Sequence, residues 1–159
     1  MNDLNALTSI ADLAPEIVRT SRTGNSVIVQ SDEITLRIEP ASDGWRVRKT
    51  WRDEDRGITF RSETTDDVAR YVLSLLANDI RRDHGLSPVR RKLVLSDDGV
   101  AVPIEGFVLS GDPQSGFILS GGQHNASRYF SSDLEAAKFS YFADDELSSL
   151  QSSLVSAVW

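Results

Sequence analysis

The sequence predicts a fold of the α+β class, in which antiparallel β-meanders are packed by three to four helices. Segments of alternating apolar and polar residues, separated by short Ser, Asp and Gly turns, indicate meander strands. Apolar residues at three- to four-residue spacing from Val68 to Ile80 indicate an amphipathic helix. Ser132 followed by Glu135 matches the capping-box pattern that opens a second helix. Because each half runs from a strand meander into a capped helix, the pattern indicates the α+β class.

The first half is predicted to contain a helix, a meander and a second helix. Apolar spacing from Leu4 to Val18 indicates the first helix, in which Pro15 starts a new turn or introduces a kink. Residues 21–25 break this pattern. The helix after the meander is capped by Thr64 or Thr65, and His84-Gly85 ends it. The predicted strands are "NSVIVQSD", "EITLRIEP", "GWRVRKTWRD" and "GITFRS".

The second half is predicted to repeat this order with a shorter helix. Its strands are "RKLVLSD", "GVAVPIEGFVLSG", "GFILSG" and "ASRYFSS", with Pro103 marking an edge strand or a bulge. A helix from Ser132 to Phe142 follows, and Leu147 to Val158 show helical spacing again.

The chain is expected to form a single domain over residues 1–159, with possible lobes 1–86 and 92–159 joined by a basic linker. The two halves align weakly, with Phe60-x-Ser62 on Phe130-x-Ser132. This indicates either a duplicated meander-plus-helix unit or a chance recurrence of ordinary strand-to-helix chemistry.

Composition excludes several classes of protein. The chain has no cysteine, which excludes disulfides, thiolate metal sites and thiol catalysis. Its apolar stretches are too short to span a membrane. The N-terminus has acidic residues early and lacks a basic region, so we expect no signal peptide and a cytoplasmic location.

Charge is distributed unevenly along the chain. The net charge is −7, and residues 93–159 carry all of it, because Arg128 and Lys138 stand there against nine acidic residues. Nucleic acid is therefore an unfavourable partner for the second half, whereas a basic protein would be attracted. Improved solubility is the alternative explanation of this acidity. The basic cluster "RRDHGLSPVRRK" is interpreted as a solvated linker, with RNA or phosphate binding as the alternative.

The candidate catalytic motifs are all incomplete. "LSGGQ" at residues 119–123 matches the signature loop of ABC-type ATPases, but the chain has no Gly-Lys pair for a phosphate loop. The glycine pair is instead expected to turn the chain between two strands. The two histidines, His84 and His124, have no ligand-spaced partner, and no Gly-x-Ser-x-Gly elbow occurs. We therefore expect no catalytic residue, no cofactor and no metal.

The tryptophans indicate a binding surface. Strand alternation places Trp45 in the core and the arginines of "GWRVRKTWR" on the opposite face. Trp51 is expected on the arginine side if the strand extends to it, which would expose a Trp-Arg pair of the kind enriched in binding hot spots. Packing of Trp51 beneath the middle helix is the alternative.

Two segments resemble a known family. "GWRVRKTWRDEDRGITFRSETTDDVARYVL" and "ASRYFSSDLEAAKFSYFADDELSSLQSSL" are similar to the Imm61-type immunity proteins of actinobacterial polymorphic toxin systems, and the resemblance covers most of residues 25–155. It implies an antitoxin that caps the active site of a cognate toxin domain inside the producing cell. The mycobacterial antitoxin of this kind is paired with a NAD-glycohydrolase toxin, although toxin domains recombine among immunity partners.

The expected function is therefore stoichiometric inhibition of a toxin by a monomer in a 1:1 complex, without membrane or nucleic-acid binding. A secretion chaperone or adaptor that binds an effector segment is the alternative. Residues in exposed turns are the candidate partner contacts: Trp51, Arg52, Asp97, Asp98, Asp112, His124 and Asp133.

Overall fold

The computed structural model of this chain describes residues 4–157 and confirms the α+β class. The helices are α1 (Asn5–Thr8), α2 (Ile10–Leu13), α3 (Thr65–Asp83), α4 (Asp133–Ser140) and α5 (Leu147–Leu154). The strands are β1 (Arg19–Thr23), β2 (Ser26–Gln30), β3 (Ile34–Ala41), β4 (Gly44–Trp51), β5 (Glu54–Ser62), β6 (Val94–Leu95), β7 (Ala101–Val102), β8 (Phe107–Asp112), β9 (Gly116–Gly121) and β10 (Arg128–Phe130).

Eight strands form one antiparallel sheet in the order β1-β2-β3-β4-β5-β10-β9-β8, and β6 and β7 form a separate hairpin. The two halves of the chain join through β5 and β10, where Phe60 directly opposes Phe130. These are the two phenylalanines that the internal alignment superimposes. Each of the two strands leads into a helix capped by a hydroxyl, since Thr64 caps α3 and Ser132 caps α4.

The core lies between one face of the sheet and the helices. Leu36, Ile38, Val47 and Phe60 are fully buried on that face, because alternate strand residues point to the same side. Tyr71 of α3 stacks on Phe60 with ring centroids 4.4 Å apart. The intervening strand residues point away from the helices, and Arg37, Arg46, Arg48 and Arg61 are exposed there.

The N-terminal prediction was wrong in two respects. The apolar stripe from Leu4 does not form one helix but two one-turn segments, α1 and α2, and the chain then leaves helical geometry at Ala14, just before Pro15. Residues 19–23 form the edge strand β1, which overlaps the predicted break at residues 21–25. Among residues 4–157, this strand pairs with β2 alone, so its polar residues stay in water and show no apolar alternation.

The long strands predicted around Pro103 are also wrong. Only Val94–Leu95 and Ala101–Val102 pair, and they lie outside the main sheet. Pro103 ends β7, and the turn through Gly106 separates that strand from β8. The predicted strand "GVAVPIEGFVLSG" is therefore divided between two sheets.

The basic cluster is not a solvated linker throughout. Arg81 is buried, and its guanidinium donates to the backbone oxygens of Ser87 at 2.5 Å, Ser153 at 3.2 Å and Ser156 at 3.0 Å. Arg81 therefore fixes the C-terminal end of α3 to the end of α5. Within residues 4–157, no helix is long and apolar enough to cross a membrane.

Candidate functional site

The predicted contact residues do not form one patch. Antiparallel connections place Arg52, after β4, and Asp112, at the end of β8, at the same end of the sheet, with three strands between them. Asp133 begins α4 after β10 and lies towards this end as well. His124 lies in the loop between β9 and β10, at the opposite end. A single flat interface cannot include all of these positions.

Trp51 lies on the opposite face of the sheet from the one predicted. It still pairs with Ile34 in register, so alternation places it on the face of Val47 and Lys49, away from Arg46 and Arg48. Trp51 is nevertheless 37% exposed, at the end of the strand.

Two cations cover the Trp51 ring. The guanidinium carbons of Arg52 and Arg56 lie 4.8 and 5.2 Å from the ring centroid. Arg52 also binds Glu33 at 2.7 Å, and its hydrogen bond lowers the pKa of that carboxyl from the usual value. An exposed Trp-Arg cluster therefore exists, but it lies on the other face of the sheet from the predicted one and contains Arg52 and Arg56 in place of Arg46 and Arg48.

Asp112 and Asp133 have structural partners. The Asp112 carboxylate accepts the backbone N–H groups of Ser115 and Gln114 at 2.9 and 2.8 Å, and the bonds to Ser115 and Gln114 lower its pKa. Asp133 accepts the backbone N–H of Ala101 at 2.6 Å and so attaches β7 to α4. Asp112 therefore stabilises its own turn, and Asp133 anchors the β6–β7 hairpin to α4.

The "LSGGQ" segment turns the chain between β9 and β10, as expected. Gly122 has φ +75°, and a Cβ there would collide with Phe107 and the Asp144 carboxylate. The backbone N–H of Gln123 donates to the same carboxylate at 2.8 Å. Glycine is therefore required by close packing at this turn, and the side chain of His124 is exposed beside it.

The separate hairpin presents an apolar surface. We call residues 93–102 the valine hairpin. Val94 pairs directly with Val102, and these side chains are 49% and 41% exposed, while Val100 is 38% exposed. Asp97 and Asp98 lie in its exposed turn. Two of the predicted contacts therefore lie at the tip of an element whose flanks are apolar.

A groove runs beside the base of the valine hairpin, with a volume of about 520 Å³. It lies between α3, α4 and the segment that precedes the hairpin. Arg91 stacks on Tyr141, with the guanidinium carbon 5.4 Å from the ring centroid. Three basic residues line the groove. Arg90 and Arg91 belong to the segment that precedes the hairpin, and Lys138 belongs to α4. Its lining includes Leu75, Val89, Arg90, Arg91, Leu93, Leu134, Lys138 and Tyr141.

Beneath this groove, Glu135 belongs to a polar network that the sequence did not indicate. Its backbone N–H completes the cap with Ser132, but its carboxylate accepts the Tyr71 hydroxyl at 2.6 Å and pairs with Lys49. Burial, together with the charge of Glu135, raises the pKa of Tyr71 well above its ordinary value. The capping-box pattern indicated the correct helix start but not the pairing of this carboxylate with Tyr71 and Lys49.

A buried ion pair connects the two halves of the chain. Arg128 of β10 donates to both carboxylate oxygens of Asp67 in α3, at 2.8 and 3.2 Å, and both side chains are almost fully buried. Arg70 and Ser62 also bind this carboxylate. Because its partners lie within the protein core, we assign this cluster to structure and not to ligand binding.

Comparison with known proteins identifies the family. The sequence profile of immunity protein 61 matches residues 11–158, which is nearly the whole chain. The chain belongs to the immunity protein 61 family. This confirms the predicted resemblance, and membership supports an immunity or antitoxin role.

A solved structure confirms the fold of this family member. Rv3902c from M. tuberculosis superposes with a TM-score of 0.71, over 95% of this chain and 87% of that chain, at 11% sequence identity. At this level of identity the similarity concerns the fold alone. No curated protein sequence matches the chain.

The surfaces of this immunity protein 61 member are suited to contact with another macromolecule. Within residues 4–157, no cluster of three or more His, Asp or Glu side chains is arranged to hold a metal ion. The valine hairpin, and the group formed by Trp51, Arg52 and Arg56, combine exposed apolar or aromatic side chains with charge, which is the composition of protein interfaces.

Proposed function

We propose that this protein neutralises a cognate toxin domain by binding it and sterically covering its active site, without turnover. The match to the immunity protein 61 profile over residues 11–158 carries this proposal. Inhibition by coverage requires shape and affinity from the inhibitor but no catalytic group. A standard-size interface buries about 800 Å² of the accessible surface of each partner. That is a small part of the 8884 Å² accessible surface of this chain.

We further propose that the protein acts as a monomer in a 1:1 complex in the cytoplasm of the producing cell. A NAD-glycohydrolase is the first toxin class to test, because the resemblance of the sequence implies it. The seven predicted contact residues remain proposals. Asp97 and Asp98 have the strongest support, since their side chains are exposed beside apolar neighbours.

Co-expression with the toxin domain encoded beside this gene tests the proposal. We expect cells that carry both proteins to grow, and cells that carry the toxin alone to die. Purified proteins should form a complex whose mass equals one copy of each, measured by light scattering after size exclusion. The toxin's activity should fall to zero at one equivalent of this protein.

A secretion chaperone would behave differently in the same experiments. It would bind an unstructured segment outside the catalytic domain, form dimers and leave the activity of the folded toxin unchanged. Binding without inhibition would therefore contradict the antitoxin proposal.

A further inference from the structure

The valine hairpin exposes more large apolar side chains than any comparable stretch of the described residues. Leu95 is 57% exposed and Val94 49%, and Leu93, Val100 and Val102 are each more than a third exposed. Contiguous exposed apolar groups on a small soluble protein mark interaction sites more often than chance, because water contact with them is unfavourable.

Helix α4 holds one side of this hairpin. The Ala101 N–H donates to Asp133 and the Ile104 N–H donates to Ser140, so β7 is attached to α4. Ala101 is buried against the helix, whereas its cross-strand neighbour Leu95 is exposed. The strand β6 therefore forms the outer side of a projecting two-stranded element whose position is fixed at its base.

The tip of the hairpin is acidic. Asp97 and Asp98 are both exposed, and within residues 4–157 neither side chain has a hydrogen bond or an ion pair. The Ser96 hydroxyl accepts the Val100 N–H at 3.1 Å, which closes the turn without the help of either carboxylate. The two charges are therefore not needed to form the turn and stay available to a partner.

We propose that the valine hairpin is the element that enters the active-site cleft of the toxin. Its valines would pack against an apolar wall, and Asp97 and Asp98 would bind basic groups that otherwise hold an anionic substrate. The partner is thus a folded toxin domain with a cationic cleft, and this inference rests on the antitoxin function proposed above. Charge complementarity favours such a cleft, because opposite potentials steer association and fix the register of an interface.

A pair of matched valine variants tests the apolar contact. Val94→Asp places a carboxylate in the proposed interface, whereas Val108→Asp makes the same change on β8, where Val108 is 65% exposed on the sheet face away from the helices. We expect Val94→Asp to weaken the Kd for the purified adjacent toxin domain roughly 30-fold or more, as at an interface hot spot. Val108→Asp should bind like the wild type.

A second pair tests the acidic tip. The double variant Asp97→Lys, Asp98→Lys should slow association with the toxin about tenfold or more at low salt, and this difference should shrink as salt is added. Asp43→Lys reverses an exposed charge in the turn between β3 and β4 and should leave the association rate nearly unchanged. Thermal unfolding and hydrogen exchange at the Ala101 amide verify that every variant keeps the hairpin.

The outcomes separate this inference from the function on which it rests. If the wild type does not inhibit the toxin, the antitoxin function fails. If the wild type inhibits and both hairpin variants do so equally well, the function stands and the hairpin assignment is overturned. Loss of binding in Val108→Asp but not in Val94→Asp would overturn it as well, and would move the interface to the open sheet face.

Discussion

Removal of Asp67 should destabilise this fold strongly. Its buried carboxylate neutralises Arg128 and accepts from Ser62 and Arg70, so an amide in its place leaves a buried guanidinium without its counter-charge. Breaking one side of a buried ion pair costs about 3–5 kcal/mol. We therefore expect Asp67→Asn to lower the free energy of unfolding in urea by about 3 kcal/mol.

Asp66→Asn is the matched control for this prediction. Both aspartates lie in the first turn of α3, so both interact with the helix dipole, but Asp66 is exposed. We expect its substitution to cost less than about 1 kcal/mol. Equal losses in the two variants would show that the dipole, and not the buried pair, determines the effect.

Tyr71 should make stability depend on alkaline pH. Burial first, and then the charge of Glu135, hold the pKa of this phenol well above its ordinary value of 10.0. Above pH 10 the unfolded chain therefore loses the phenolic proton while the folded protein keeps it. Stability is complete below that pH and falls as pH rises, by up to about 1.4 kcal/mol per pH unit.

Tyr71→Phe removes this titration while keeping the stacked ring. We expect urea unfolding to show a wild-type advantage at pH 9 that shrinks at pH 11, because the variant has no phenol to ionise at this position. A constant difference between the two proteins at both pH values would contradict the assigned pKa direction.

Among the elements, the valine hairpin depends on few anchors. The bond from the Ala101 N–H to Asp133 is one of them, and hydrogen bonds to charged groups contribute about 1.5–3 kcal/mol. We expect Asp133→Ala to speed hydrogen exchange at the Ala101 amide at least tenfold while amides in the centre of α3 keep their protection, because the hairpin opens locally.

Asp144→Ala is the control for this local effect. Asp144 accepts the Gln123 N–H in a different loop, so its removal also deletes one carboxylate-to-backbone bond. Exchange at Ala101 should not change in this variant. Faster exchange throughout the chain in Asp133→Ala would instead show that Asp133 supports the whole fold.

The sequence predicted those elements in which local chemistry and the tertiary fold agree. The helix α3 begins after its Thr64 cap and ends before Gly85, as the pattern indicates. It could not predict β1, because "RTSRT" owes its strand geometry to the neighbour β2 and not to apolar alternation. The sequence also could not predict that the valine hairpin is separate from the main sheet, because strand propensity does not specify which strand a segment pairs with.

The candidate site was predictable only in part. Exposed acidic turns such as Asp97-Asp98 follow from sequence, but the exposure of Val94 and Val102 does not, because alternating valines normally indicate a buried strand face. The strand face of Trp51 was predicted wrongly even though β4 pairs with β3 in regular register there. The second role of Glu135 depends on Lys49 and Tyr71, which approach it only in the folded protein.

At the scale of the whole molecule, the two halves share one core. The ring centroid of Phe60, in the first half, lies 5.0 Å from that of Phe130 and 5.6 Å from that of Phe139, both in the second half. The Asp67–Arg128 pair also joins the two halves. Neither half can therefore lose its structure without exposing the apolar surface and the buried charges of the other.

We therefore expect residues 1–86 and 92–159 to unfold together, as one domain. Urea unfolding followed by tryptophan fluorescence, with Trp45 buried in the first half, should coincide with the loss of amide protection in α4 of the second half. The destabilised Asp67→Asn variant should shift both signals by the same amount, since a shared transition moves as a unit. Loss of protection in α4 at a lower urea concentration than the fluorescence change would instead show two separate lobes.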